Sequence, residues 1–119
     1  MVRNLKLIIK ADFDAAHYLQ NYKGECANIH GHTWIVEAIF KVNPDNDYLD
    51  NITIDFKELK NTLNQILPDH KYLNELYDFN PTAENLSKYI FDELVKRGKK
   101  PRQITVGNLK HQELYIHES

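Results

Sequence analysis

Three histidines and one cysteine are the residues of this chain best suited to chemistry. His30 and His32 flank Gly31, and because side chains alternate across an extended strand they point to the same side, close enough together to hold one ion. Gly31 removes a side chain between them and lets the backbone bend, which suits a ligand pair at the mouth of a strand. Such pairs also occur on exposed strands that bind nothing, so the weight falls on His17. A hairpin closing through residues 18–29 brings His17 beside His30 and His32. Three neutral imidazoles then leave a fourth tetrahedral position open, which is the arrangement of a catalytic zinc site and not of a closed structural one. Without that hairpin register, His17 reads as a surface or capping residue after Ala15 and Ala16.

Cys26, the sole cysteine, lies four residues before His30, with Lys23 and Glu25 nearby. It reads as a fourth ligand, as a thiolate that moves protons beside a dication, or as a small buried hydrophobe, and spacing alone leaves these open. Asp69 and His70 place a carboxylate next to an imidazole, a pairing that could orient a proton carrier. Adjacent residues often point apart, so a hydrogen-bonded chain here is expected to join His70 to a carboxylate elsewhere. His111 and His117 lack comparable surroundings and read as surface residues.

The elements that must position these groups follow from periodicity. Leu5, Leu7, Ile9, Ala11, Phe13 and Ala15 share one face, with Lys6, Lys10, Asp12 and Asp14 opposite, which predicts a strand over residues 5–15. The polar stretch QNYKGECAN separates it from a second alternating run between His30 and Val42, so a large hairpin is expected. After the turn-rich NPDNDYLDN, Asp55 with Glu58 resembles a capping box opening a helix on Phe56, Leu59, Leu63, Ile66 and Leu67. Pro68 closes that helix, and DHKYLNELYDFN reads as an irregular connection. Pro81 and Thr82 start a second helix with Leu86, Ile90 and Leu94 inward, stopped by Gly98. Short strands near residues 103–106 and 113–117 complete the order ββααββ. The expectation is one α+β domain over residues 1–119, an antiparallel four-stranded sheet with two helices on one face. Two helices on one face leave the other face, with Trp34 and other alternating apolar residues, uncovered, so a neighbouring chain is expected there.

Bulk properties exclude several classes. At 119 residues the chain suits a single domain with a modest core. A net charge of -2 with no dense basic block argues against a nucleic-acid partner. No apolar run spans a bilayer, and MVRNLKLIIKADFD is broken by Lys10 and Asp12 too early for a signal-peptide core, so the cytoplasm is expected. A lone cysteine permits no internal disulfide.

The stretches FDAAH, CANIHGH, TIDFKELK, PDHKYLN and NPTAENL follow one another in an order that resembles the 6-pyruvoyl-tetrahydropterin synthase and 6-carboxy-tetrahydropterin synthase family. The resemblance implies the tunnelling fold, with trimeric barrels stacked into a homohexamer and active sites between subunits. It implies His17, His30 and His32 as Zn2+ ligands, Cys26 as general base, and His70 with Asp69 as proton relay. The implied substrate is 7,8-dihydroneopterin triphosphate, whose side chain the metal would polarise. The three-residue gap between Cys26 and His30 is similar to that of the carboxy-tetrahydropterin branch, which releases acetaldehyde and triphosphate and feeds 7-deazaguanine and queuosine synthesis.

This sequence departs from the family pattern at three places. Pro68 replaces a leucine, and Tyr18 stands where relatives often carry arginine. Asn108 stands where the family has a glutamate that grips the pterin, and an amide offers one acceptor and one donor in place of two acceptors. Thr82 and Glu84 are the further substrate contacts the resemblance suggests, with Glu84 or Glu113 available to replace the missing carboxylate. The alternatives to the carboxy-tetrahydropterin reaction are a 6-pyruvoyl-tetrahydropterin synthase, a dihydroneopterin aldolase-like activity that releases glycolaldehyde, and a metal-holding pterin binder without turnover.

Overall fold

The computed structural model describes residues 5–20, 28–42 and 55–108, and the backbone of strand residues 114–118. In chain order the elements are β1 (Leu5–His17), β2 (His30–Val42), α1 (Phe56–Ile66), β3 (Lys71–Tyr72), α2 (Leu73–Leu76), α3 (Ala83–Lys96), β4 (Pro101–Asn108) and β5 (Leu114–Glu118). They form one sheet in the order β3-β1-β2-β4-β5. The four long strands are antiparallel neighbours, as the patterning predicts. Within the segment expected to be irregular, β3 adds a two-residue parallel rung against Ala15 and Ala16, followed by the single turn of α2.

Alternation explains the long hairpin. Leu7, Ile9, Ala11, Phe13 and Ala15 are buried while Lys6, Ile8, Lys10, Asp12 and Asp14 face out. On β2 the buried set is Trp34, Val36, Ala38, Phe40 and Val42. A one-residue slip would exchange these faces, so burial locks the register. The register runs from Leu5 opposite Val42 to His17 opposite His30, which puts all three candidate ligands at one end of the hairpin.

Both main helices cover the same sheet face. Leu59, Leu63 and Ile66 of α1 and Leu86, Ile90 and Leu94 of α3 join the β1 and β2 apolar residues in one core. Each such side chain contributes about 1.5–3 kcal/mol by leaving water. Asp55 caps α1 by accepting from the Lys57 N–H at 2.8 Å, but Glu58 does not close the expected capping box. Its carboxylate takes the Lys99 ammonium at 2.6 Å instead. Phe56, expected inward, is 57% exposed because it occupies the first helical position, outside the stripe that meets the sheet. Thr82 caps α3 through the Asn85 N–H at 3.1 Å. At the far end Gly98 adopts φ 79°, and the Gly98 and Lys99 N–H groups return to the Val95 and Leu94 carbonyls. That left-handed closure is the helix stop read from the glycine.

Trp34 does not lie on the uncovered face. It is 1% exposed, stacked on Phe13 at 6.0 Å on the helix side. No described helix packs on the opposite face, where Ile8 is 45% exposed and Ile35 and Ile39 are half-buried.

Candidate metal centre

The end of the β1–β2 hairpin gathers three imidazoles on the helix-side face. His30 and His32 share parity with Trp34 and project together, while His17 comes from the opposing strand. The ring centroids of His17 and His30 lie 4.5 Å apart, those of His30 and His32 4.6 Å, and those of His17 and His32 5.2 Å. One nitrogen from each lies within 4.8 Å of the other two. Tetrahedral zinc with Zn–N bonds of about 2.0–2.1 Å holds its nitrogens about 3.3 Å apart, a distance that small ring rotations can reach.

Hydrogen bonds decide which nitrogen faces inward. His17 Nδ1 donates to the Pro81 carbonyl at 2.7 Å, and His30 Nδ1 donates to the Asn28 carbonyl at 2.7 Å. A carbonyl can only accept, so each Nδ1 carries the proton and each Nε2 keeps its lone pair for a metal. His17 is 5% exposed, and its edge contacts Trp34 at a centroid distance of 4.9 Å. Burial is the main cause that lowers its pKa below the ordinary 6.5; the Pro81 carbonyl opposes this and the nearby His30 adds to it. A neutral imidazole is the form that binds a metal. Among the described residues the donor set is three imidazole nitrogens, which fits a divalent ion such as zinc.

Asp69 and His70 do pair with each other, against the expectation that adjacent side chains diverge. His70 Nδ1 lies 2.9 Å from Asp69 Oδ2. The backbone makes this possible: His70 sits at φ 57°, a left-handed conformation that costs a non-glycine residue about 1–2 kcal/mol. Asp14 holds the turn in place, accepting the His70 N–H on its carbonyl at 2.6 Å and donating its own N–H to Asp69 Oδ1 at 2.9 Å. The Asp14 N–H is also the chief cause that lowers the Asp69 pKa. The Asp14 carboxylate lies within 4.8 Å of both members of the pair and accepts the Thr33 hydroxyl at 2.6 Å.

Asp14 and Thr33 point away from the helices, whereas the histidine trio points toward them. Within one chain the pair and the trio thus occupy opposite sides of the sheet, although His32 and His70 both line an open groove of about 530 Å³ around its edge. Asn108 lies opposite Trp34 at the end of β4, on the trio's face of the sheet. Thr82 uses its hydroxyl to cap α3 directly after Pro81, and Glu84 is exposed in the first helical turn. Cys26, Glu113 and His111 lie outside the described residues, as does the side chain of His117. Asn28, Pro81 and Asp14 carry no signal in the sequence for these roles. Their contributions are largely backbone groups, which every residue carries.

The solved structure of the Caenorhabditis elegans 6-pyruvoyl tetrahydropterin synthase superposes with a TM-score of 0.79 at 20% identity, covering 98% of this chain and 96% of that one. Fold and site together define a tunnelling-fold domain with a three-histidine centre at its hairpin end. The 6-pyruvoyl tetrahydropterin synthase family model matches residues 6–118, and the chain belongs to that family. The 6-carboxy-5,6,7,8-tetrahydropterin synthase of Synechocystis is 30% identical over 93 residues, 72% of this chain and 71% of the relative. The 6-pyruvoyl tetrahydrobiopterin synthase of Dictyostelium discoideum is 34% identical over 113 residues, 79% of this chain and 81% of the relative.

Proposed function

We propose that this protein is a zinc-dependent 6-carboxytetrahydropterin synthase acting on 7,8-dihydroneopterin triphosphate. The observation that carries the reading is the convergence of His17, His30 and His32, two of them with Nδ1 engaged by a backbone carbonyl so that Nε2 keeps its lone pair. The Synechocystis relative supports the carboxy branch. In the balanced reaction, substrate and water give 6-carboxytetrahydropterin, acetaldehyde and triphosphate. The ring gains two electrons as the side-chain carbon attached to it is oxidised to a carboxylate.

Zinc on the trio supplies Lewis acidity toward the substrate's side-chain hydroxyls. Cys26, as thiolate, removes the proton from the side-chain carbon. His70 exchanges a proton with the side-chain oxygen, and Asp69 keeps its imidazole oriented. Asn108, Thr82 and Glu84 contact the pterin, with Glu84 offering the carboxylate that Asn108 lacks. Trio and pair face opposite sides of the sheet, so a single chain does not close the site. A homohexamer built as a dimer of trimers, with sites between subunits, would do so and would cover the exposed Ile8 face. The setting proposed is the cytoplasm.

The Dictyostelium similarity favours a second reading, 6-pyruvoyl-tetrahydropterin synthase. Mass analysis of the products from zinc-loaded protein separates the two. Acetaldehyde with the carboxy product supports the first, the pyruvoyl product with no acetaldehyde supports the second, and glycolaldehyde would overturn both.

A further inference from the structure

Beyond the ligands, the chain leaving β1 is tied down by two asparagine side chains in a way no local pattern requires. Asn74 Oδ1 accepts the Tyr18 N–H at 2.8 Å, and Asn74 Nδ2 donates to the Tyr18 carbonyl at 3.0 Å. Two residues on, Asn80 Oδ1 accepts the Gln20 N–H at 2.9 Å and its Nδ2 reaches the Gln20 carbonyl at 3.5 Å. A primary amide that meets both backbone groups of one residue reproduces a strand rung, so these two side chains continue the edge of β1 past the end of β3. Asn80 is anchored in turn, since its carbonyl accepts the Thr82 N–H at 2.8 Å and the Asn85 side-chain amide at 2.9 Å. Between them, the Pro81 carbonyl holds His17. Residues 17, 18 and 20 are thus fastened to residues 74, 80 and 81, and the fastened segment leads directly into residues 21–27, which carry Cys26.

We infer that Asn74 and Asn80 are positioning residues of the metal centre: they hold the β1 exit so that His17 and the Pro81 carbonyl stay in register and His17 presents its Nε2 to the ion. This rests on the three-histidine reading above. Groups that orient a metal-binding imidazole typically change metal affinity 10–100-fold when removed. A purely structural role would lower stability and leave affinity unchanged.

The test compares wild type, Asn74→Ala, Asn80→Ala and Ile90→Val, the last a core change in α3 remote from the β1 exit. Zinc dissociation constants come from competition with a chromophoric chelator, and the visible bands of the cobalt-substituted protein report ligand geometry. Near-ultraviolet circular dichroism confirms that each variant is folded. Each asparagine variant should bind zinc about tenfold more weakly or worse and show altered cobalt bands, while Ile90→Val keeps both. Wild-type affinity and spectra in both asparagine variants, or an equal loss in Ile90→Val, would overturn the inference and leave the metal centre standing. A wild type that takes up no metal would overturn both.

Discussion

Substituting His30 with alanine is the cleanest perturbation of the centre. His17 is 5% exposed and packs on Trp34, so its removal also opens a cavity and leaves the Pro81 carbonyl without its donor. His30 is only half-buried, and its Nδ1 partner is the exposed Asn28 carbonyl, which water can satisfy. His30→Ala should therefore cost the metal-free protein little. Zinc at a hundredfold excess over its dissociation constant stabilises a folded protein by about 2.7 kcal/mol. At about 2.1 cal/mol/K per residue, a chain of 119 residues has an unfolding entropy of about 0.25 kcal/mol/K, so that stabilisation raises Tm by roughly 10 °C. In His30→Ala two imidazoles remain, and at the same zinc concentration the rise should be no more than about 3 °C. Differential scanning calorimetry of metal-stripped protein, with and without zinc, reads both values. Equal zinc-induced shifts in wild type and variant, or no shift in wild type, would refute the assignment of His30 as a ligand.

The lowered pKa of His17 sets a pH dependence for the metal-free protein. The unfolded chain takes up a proton near pH 6.5 that the folded chain refuses until lower pH, so stability should fall as pH drops below about 6.5. Urea unfolding between pH 7.5 and 5 should show this, and His17→Gln should flatten the profile; a steeper profile in the variant would contradict the cause. Leu94, fully buried between α3 and the sheet, should cost about 2–5 kcal/mol when changed to alanine, measured by the same unfolding. Gly98→Ala meets no atom within 4 Å but must hold φ 79°, so a loss of about 1–2 kcal/mol is expected from backbone strain alone. A neutral result there would mean that the turn relaxes.

Much of the fold was legible because burial repeats with a period. Apolar residues fill every second position from Leu5 through Ala15 and from Trp34 through Val42, with only Ile8, Ile35 and Ile39 breaking the polar set opposite, and the observed strands begin or end within two residues of the expected bounds. Leu86, Ile90 and Leu94 marked α3 in the same way, and Gly98 its end. What escaped is short or non-local. β3 spans two residues and α2 one turn, too few for any periodicity to emerge. Glu58 chose Lys99, 41 residues away, over the nearby helix start. Trp34 looked like a residue needing an outside partner, yet its indole faces Phe13 and the histidines. The convergence of His17, His30 and His32 could be read from three residue types and a hairpin, while the groups that hold their rings could not. Asn74 and Asn80 act on backbone 56 and 60 residues distant, and the Pro81 carbonyl has no signature in its side chain.

The central question is whether the three-histidine centre performs the pterin chemistry. The most direct measurement follows acetaldehyde release from 7,8-dihydroneopterin triphosphate by metal-stripped protein as zinc is added back. No release is expected without metal, full release near one zinc per chain, and none in His30→Ala at any zinc concentration that just saturates wild type. Release that ignores metal removal, or no turnover of any kind with zinc fully loaded, would contradict that role for the centre.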